Sequence, residues 1–129
     1  GKRARALARW RTKVRRAWPS VRFVAVEADR TDAVRVGESV AVTARIAADK
    51  LAPGDLCVQI YTGRLDDHQE IGGASILPMA YRETTADGTL VFGGAIPCAD
   101  SGLRGFTVRV LPYHPDLPAA LIPGLICWA

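Results

Sequence analysis

The sequence has few of the residues that build a disulfide framework or a metal site. Its 129 residues include three cysteines and two histidines. The cysteines Cys57, Cys98 and Cys127 are widely spaced, and no two of them form a CxxC pair. Such an odd set is typical of free thiols in a reducing compartment rather than of a disulfide or zinc scaffold. We therefore expect neither a bound metal nor a disulfide in this chain.

Long hydrophobic runs are also absent. No stretch approaches the roughly 20 consecutive apolar residues that a transmembrane helix needs, and the Arg-rich start lacks the apolar core of a secretory signal. Hydrophobic residues make up 49% and charged residues 23% of the chain, which is ordinary for a globular domain. We expect a cytoplasmic protein with no membrane association. The start at Gly1 rather than at a methionine favours a segment of a longer protein.

Catalytic signatures are missing as well. The sequence has no glycine-rich phosphate loop, and Ser75 and Ser101 lie outside any Gly-x-Ser-x-Gly motif. His114 has no nucleophile or carboxylate partner implied by the sequence. The polar cluster Asp66–Glu70 lacks a second cluster that would complete a cation site. We therefore predict no catalytic residue and no cofactor-binding residue in this chain.

Acidic residues are absent from the first 18 positions, which contain eight basic residues. The rest of the chain has nine basic and 13 acidic residues, so a basic arm precedes an acidic body. Apolar residues in the arm recur every three or four positions, the period of one helical face, and Pro19 ends the pattern. We predict an amphipathic connecting helix over residues 1–19 whose apolar stripe docks on a neighbouring element. The stripe consists of Leu7, Trp10, Val14 and Trp18.

Three functions remain open for this arm. Its arginines would suit a nucleic-acid tether, since phosphate neutralisation is the main source of nucleic-acid affinity. A basic amphipathic helix can also lie on a membrane surface. Against both, the tryptophans lie in the apolar stripe rather than among the arginines, and the stripe is narrow. We favour a connecting helix whose basic face is solvated or meets an acidic surface. The alternative is an independent binding module for nucleic acid or an acidic partner.

After Pro19 the periodicity changes from helical to alternating. Apolar residues recur at every second position in short runs such as Val40–Ile46 and Leu56–Ile60, and Ile71–Arg82 is predicted to be one long extended segment. The sequence Ala86–Gly88 is typical of a hairpin turn. About seven short strands with no second helix favour an all-β, immunoglobulin-like antiparallel β-sandwich over residues 20–129. A small closed barrel is the alternative.

Four stretches of the chain resemble one known family. The stretch Ser101–Leu117 contains Ser-Gly-Leu-Arg-Gly-Phe-Thr-Val-Arg-Val-Leu-Pro-Tyr-His-Pro-Asp-Leu, and the chain ends in Leu-Ile-Cys-Trp-Ala. Residues Leu51–Leu65 contain Leu-Ala-Pro-Gly-Asp-Leu-Cys-Val-Gln-Ile-Tyr-Thr-Gly-Arg-Leu, and Lys13–Pro19 contain Lys-Val-Arg-Arg-Ala-Trp-Pro. In their order along the chain they resemble the C-terminal domain of bacterial α-glucan phosphorylases, the glycogen, starch and maltodextrin phosphorylase family.

The resemblance implies a parent enzyme that phosphorolyses α-1,4-glucans to glucose 1-phosphate, with pyridoxal phosphate bound to a lysine of a large catalytic body. None of that body's motifs occurs in these 129 residues. The resemblance therefore implies a non-catalytic domain, without a cofactor of its own, that packs on the remainder of the phosphorylase or on a neighbouring subunit. Contact with α-glucan is a further expectation, although packing explains the aromatic candidates more simply. Those candidates are Tyr61, Tyr81, Tyr113 and Trp128.

Overall fold

The computed structural model describes residues 1–30, 34–68, 70–99, 104–117 and 125–129. Helix α1 (Lys2–Ala17) is followed by a 3-10 turn (Trp18–Ser20), and a second 3-10 turn covers Pro53–Asp55. The strands of these ranges are β1 (Arg22–Ala28), β2 (Ser39–Ala47), β3 (Leu56–Leu65), β4 (Ile71–Pro78), β5 (Ala80–Thr84), β6 (Leu90–Pro97), β7 (Arg104–Pro112) and β8 (Cys127–Trp128). Ser101, considered above as a candidate nucleophile, lies outside the described residues.

Two four-stranded antiparallel sheets form the body. The first sheet has the strand order β1-β2-β6-β5 and the second has the order β4-β3-β7-β8. This is the arrangement of an immunoglobulin constant-type sandwich with one additional edge strand, β4, in the second sheet. The predicted all-β sandwich with one N-terminal helix is confirmed. Two separate sheets take the place of the closed barrel that was the alternative.

Alternation along the central strands builds the core between the two sheets. Val42, Ala44 and Ile46 of β2 are almost completely buried, as are Val58 and Ile60 of β3. These side chains point to one face because successive residues of a strand point to opposite sides. They belong to one hydrophobic cluster, to which β7 contributes Val108 and Val110.

The helix closes one end of this core. Trp10, Val14 and Trp18 are buried in the same cluster as the strand residues, and Leu7 is half-buried against it. Helical backbone continues past the predicted end at Pro19, as a 3-10 turn over Trp18–Ser20. Pro19 lies in the first turn of this segment, where a missing amide proton is tolerated. The division of the chain into a connecting helix and a sandwich domain stays a prediction.

The expectation of one extended segment over Ile71–Arg82 is wrong. The chain divides there into β4 of the second sheet and β5 of the first, and Met79 is buried at the crossing. The Met79 amide donates a hydrogen bond to the Val58 carbonyl at 2.9 Å. A β carbon on Gly94 would lie 3.2 Å from the Pro78 carbonyl oxygen. The missing side chain of Gly94 therefore allows the chain to pass between the sheets at this point.

Candidate functional site

Helix α1 is held on the sandwich by polar contacts at Asp55. The indole Nε1 of Trp10 donates a hydrogen bond to Asp55 Oδ1 at 3.1 Å, and Lys13 Nζ lies 3.6 Å from Asp55 Oδ2. The same Oδ2 accepts a hydrogen bond from the Ala52 amide at 2.9 Å. The His114 ring packs on Trp10, with the ring centroids 5.0 Å apart. Trp10, Lys13, Asp55 and His114 are called the helix anchor below.

His114 has a local structural role in this anchor. Its Nδ1 accepts a hydrogen bond from the Asp116 amide at 3.0 Å, and its carbonyl accepts one from the Leu117 amide at 3.0 Å.

The sequence pattern revealed the apolar stripe of the helix but not the polar partners of the helix anchor. Asp55 lies 45 positions from Trp10 along the chain, so no local period connects them.

The outer surface of the second sheet carries an exposed aromatic and apolar patch. Tyr61 of β3 and Trp128 of β8 meet edge to face, with centroids 5.6 Å apart and ring planes at 90°. The Arg109 guanidinium carbon lies 5.4 Å from the Trp128 centroid and 6.0 Å from the Tyr61 centroid. Ile76 of β4 is in register with Tyr61; it is 47% exposed and Trp128 is 45% exposed. Tyr61, Ile76, Arg109 and Trp128 are called the aromatic face below.

Gln59 fixes the guanidinium at the centre of this face. Arg109 and Gln59 are in register across β7 and β3, and Arg109 Nε donates a hydrogen bond to Gln59 Oε1 at 2.9 Å. A cation over an exposed aromatic ring contributes about 0.5–1 kcal/mol.

Burial raises the pKa of the neighbouring Cys57 thiol, although the Arg109 charge and a hydrogen bond with Gln59 act to lower it. Cys57 is therefore protonated at neutral pH.

The four aromatic candidates do not form one platform. Tyr81 lies in the first sheet, where its ring centroid is 5.9 Å from that of Phe92. Tyr113 follows β7 and is 45% exposed. The structure brings Tyr61 and Trp128 together and places Tyr81 on the other sheet. The sequence showed no aromatic pair because these two residues meet through the pairing of β3, β7 and β8.

Polar clusters elsewhere have structural partners. Asp66 Oδ1 accepts hydrogen bonds from the His68 amide at 2.8 Å and the Glu70 amide at 2.9 Å, so this carboxylate closes its own turn. Within the described ranges, no three His, Cys, Asp or Glu side chains converge as a metal site would require. None of the three cysteines, all of which lie in the described ranges, forms a disulfide, and each is half-buried. The part of the chain that the structure describes has no helix long and apolar enough to span a bilayer.

Comparison with known proteins shows similarity to one enzyme family. Residues 18–129 match the family described as the glycogen phosphorylase C-terminal domain. The chain is 33% identical over 127 residues to glycogen phosphorylases of Mycobacterium bovis and Mycobacterium tuberculosis. It is 24% identical over 130 residues to a maltodextrin phosphorylase of Thermococcus litoralis. Each alignment covers 98% of this chain but 15% of the relative's length. No solved structure matches significantly.

Proposed function

This chain belongs to the glycogen phosphorylase C-terminal domain family, and on that premise we propose that it is a non-catalytic domain of an α-glucan phosphorylase. Its role is to pack against the remainder of the enzyme or against a neighbouring subunit. The observation that carries this proposal is the exposed aromatic face. The chain spans 15% of the length of its relatives, so in an enzyme of that length a much larger protein body is available to cover this face.

The composition of the aromatic face suits a protein interface. Contiguous apolar surface next to polar groups marks interaction sites on globular proteins. Trp, Tyr and Arg are the residue types that dominate binding energy at interfaces, and the face combines one of each with Ile76. The hydrogen bond from Arg109 to Gln59 holds the guanidinium in place before binding. Such ordering lowers the entropic cost of association.

The lysines of this chain do not fit pyridoxal phosphate. A lysine that forms a Schiff base is activated in a desolvated pocket, and the pyridine nitrogen needs its own partner. The three lysines Lys2, Lys13 and Lys50 are all exposed. We therefore assign the cofactor and the phosphorolysis of α-1,4-glucans to the remainder of the parent enzyme. We also propose the cytoplasm as the compartment of the parent enzyme.

Contact with α-glucan is the second candidate, favoured by the same Tyr61–Trp128 pair. Aromatic rings stack on the apolar faces of sugar rings, and the neighbouring guanidinium and amide groups of Arg109 and Gln59 can hydrogen-bond to hydroxyls. Two features favour packing over glucan binding. The ring planes meet at 90°, and Arg109 lies over both rings, so little flat surface is free for a sugar.

The test is association in trans between this chain and the remainder of the parent phosphorylase, followed by analytical ultracentrifugation. We expect Trp128→Ala and Ile76→Ser each to raise the dissociation constant at least tenfold. The controls are Tyr81→Ala and Val36→Ser, which should change the dissociation constant less than twofold. Tyr81 is as exposed as Trp128 and Val36 is more exposed than Ile76, and both lie elsewhere on the surface. Equal association of all four variants would overturn the packing role.

Two further measurements separate the candidates. Maltodextrin titrated into the isolated chain should leave tryptophan fluorescence unchanged; saturable quenching that Trp128→Ala abolishes would favour the glucan role. The isolated chain should also release no glucose 1-phosphate from maltodextrin and inorganic phosphate, and any release that follows the pure chain would contradict a non-catalytic domain.

A further inference from the structure

Helix α1 carries a row of cationic side chains on the side that points away from the sandwich. Lys2, Arg5, Arg9 and Arg16 follow one another along the helix at spacings that keep them on one side of it. All four are exposed, whereas the apolar stripe on the opposite side of the helix is packed on the core. The row is about 21 Å long at 1.5 Å per residue. These four residues are called the basic ridge below.

The described part of the chain offers the basic ridge no anionic partner. Helix α1 contains no acidic residue, and its first turn has none to oppose the charges there. The ion pairs within the described ranges involve Lys13, Arg30 and Arg45 but no member of the ridge. Lys13 is left out of the ridge because it already contacts Asp55.

This arrangement of charges is unfavourable for the helix itself. Lys2 and Arg5 lie in the first turn, where the helix dipole repels a cation. Arg5 and Arg9 are four positions apart, where like charges repel each other across one turn. The helix is held by its buried stripe in spite of these repulsions. A local rule broken without compensation inside the chain is typical of a functional surface.

The structure favours an acidic protein surface over the other anionic partners. A helix on a membrane inserts its apolar side into the lipid, but Trp10, Val14 and Trp18 are at most 9% exposed and belong to the core. Single-stranded nucleic acids stack their bases on exposed rings, and the ridge contains no ring. Carboxylates on a protein surface require neither lipid-facing side chains nor exposed rings.

We propose that the basic ridge docks on an acidic surface of the remainder of the parent enzyme. This proposal rests on the proposed function, because it takes the partner from the same parent. The alignments with the relatives cover 98% of this chain, so they include most of helix α1. Arginine and lysine donate charge-assisted hydrogen bonds to carboxylates, and a guanidinium can donate two in parallel. Such complementary charges fix the orientation of two surfaces, while the aromatic face contributes apolar burial elsewhere.

The experiment is zero-length carbodiimide cross-linking of the full-length parent enzyme, because this reagent joins only amines and carboxylates in contact. Mass spectrometry then identifies the joined peptides. We expect Lys2 to be linked to Asp or Glu residues outside these 129 residues. The triple variant Arg5→Lys, Arg9→Lys and Arg16→Lys keeps the charge and should add further links to the same surface. Absence of such links in both proteins would overturn the proposal, as would links confined to carboxylates within these 129 residues, which would indicate a second copy of the chain.

Glutamine variants test whether the position of the charge matters. The ridge variant is Arg5→Gln, Arg9→Gln and Arg16→Gln, and it should lower the yield of the Lys2 link at least fivefold. The matched control removes three charges from other sides of the same helix and should lower the yield less than twofold. Equal losses would show diffuse attraction to a basic helix and would overturn the ridge. The control consists of Arg3→Gln, Arg11→Gln and Arg15→Gln.

Two further outcomes separate this proposal from its neighbours. The 129-residue chain should not bind a single-stranded RNA oligonucleotide saturably; binding that the ridge variant abolishes and the matched control retains would overturn the acidic protein surface in favour of nucleic acid. The packing role fails on the variants Trp128→Ala and Ile76→Ser, neither of which alters the ridge. Links from Lys2 that persist in these two variants would support the ridge even where the aromatic face has no role.

Discussion

The indole nitrogen of Trp10 donates a hydrogen bond to the carboxylate of Asp55 over 3.1 Å and thereby joins helix α1 to the 3-10 turn before β3. Trp10 is only 9% exposed, and a buried indole N–H without an acceptor is costly. The carboxylate also accepts the Ala52 amide. One side chain therefore positions both the basic helix and the entry of a central strand.

Replacing Asp55 by Ala should lower the free energy of unfolding by about 2–3 kcal/mol. The change leaves the Trp10 indole without its acceptor and removes the hydrogen bond to the Ala52 amide, each of which is costly at a buried or capping position. Urea unfolding measures the loss. Asp116→Ala, the removal of an exposed carboxylate close to His114, should change stability by less than about 0.5 kcal/mol. A small effect of Asp55→Ala would show that apolar packing alone holds the helix.

Replacing Trp10 and Trp18 together by Ala should destabilise the chain by several kcal/mol. Both side chains are buried in the core cluster, and truncating one buried tryptophan typically costs about 3–5 kcal/mol. Thermal unfolding followed by circular dichroism provides the measurement. Intact stability after the double change would contradict a docked helix.

The control for the tryptophan pair is a set of glutamine substitutions on the exposed side of the helix. These should change stability little, because solvated charges contribute little to folding. If the arm is instead a nucleic-acid tether, the pattern inverts: the glutamine set would abolish a salt-dependent complex with RNA, and the tryptophan pair would leave folding intact. The set consists of Arg3, Arg5, Arg11 and Arg15.

Replacing Gly63 by Ala should lower the free energy of unfolding by about 1–3 kcal/mol, the range for overpacking. A β carbon at Gly63 would lie 2.6 Å from the Gly72 carbonyl oxygen, which belongs to the backbone and has little room to move. At Gly54 an added β carbon meets nothing within 4 Å, so Gly54→Ala is the control and should be neutral. Urea unfolding of both variants checks the difference. Equal stabilities would indicate that β3 and β4 separate freely here.

Stability should fall as the pH rises through about 9, and Cys57 should account for part of this fall. Burial raises the pKa of the Cys57 thiol above its ordinary value of 9.0, against the lowering effects of Arg109 and Gln59. Below pH 9 the thiol is protonated in both the folded and the unfolded state. Above it the unfolded state releases the proton first, so the free energy of unfolding decreases.

The measurement for this pH effect is urea unfolding at pH 8 and pH 10 with and without Cys57→Ala. The decrease should be smaller in the variant. It should not vanish, because burial also raises the pKa of Cys127. An identical decrease in both proteins would mean that Cys57 titrates alike in the folded and unfolded states.

Short-range patterns predicted most of the secondary structure. The apolar residues of the arm recur every three or four positions and form a helix, and the alternation in Val40–Ile46 and Leu56–Ile60 forms strands β2 and β3. Gly88 adopts φ 89° in the turn between β5 and β6, as a hairpin turn there requires. Local periodicity is sufficient for these elements because each depends on neighbours only a few positions away.

The sequence by itself determined the sandwich, the buried stripe of the helix and the family to which the chain belongs. Only the tertiary structure decided where the segment Ile71–Arg82 divides between the two sheets. It also decided that the Asp55 carboxylate accepts the hydrogen bond from the Trp10 indole of the helix. It decided as well that Arg109 lies over Tyr61 and Trp128. The contacts of Arg109 depend on the register between strands that are distant along the chain, and a shift of one residue would turn each side chain to the opposite face. The contact of Asp55 depends on where the turn before β3 meets helix α1, which no local period of the sequence encodes.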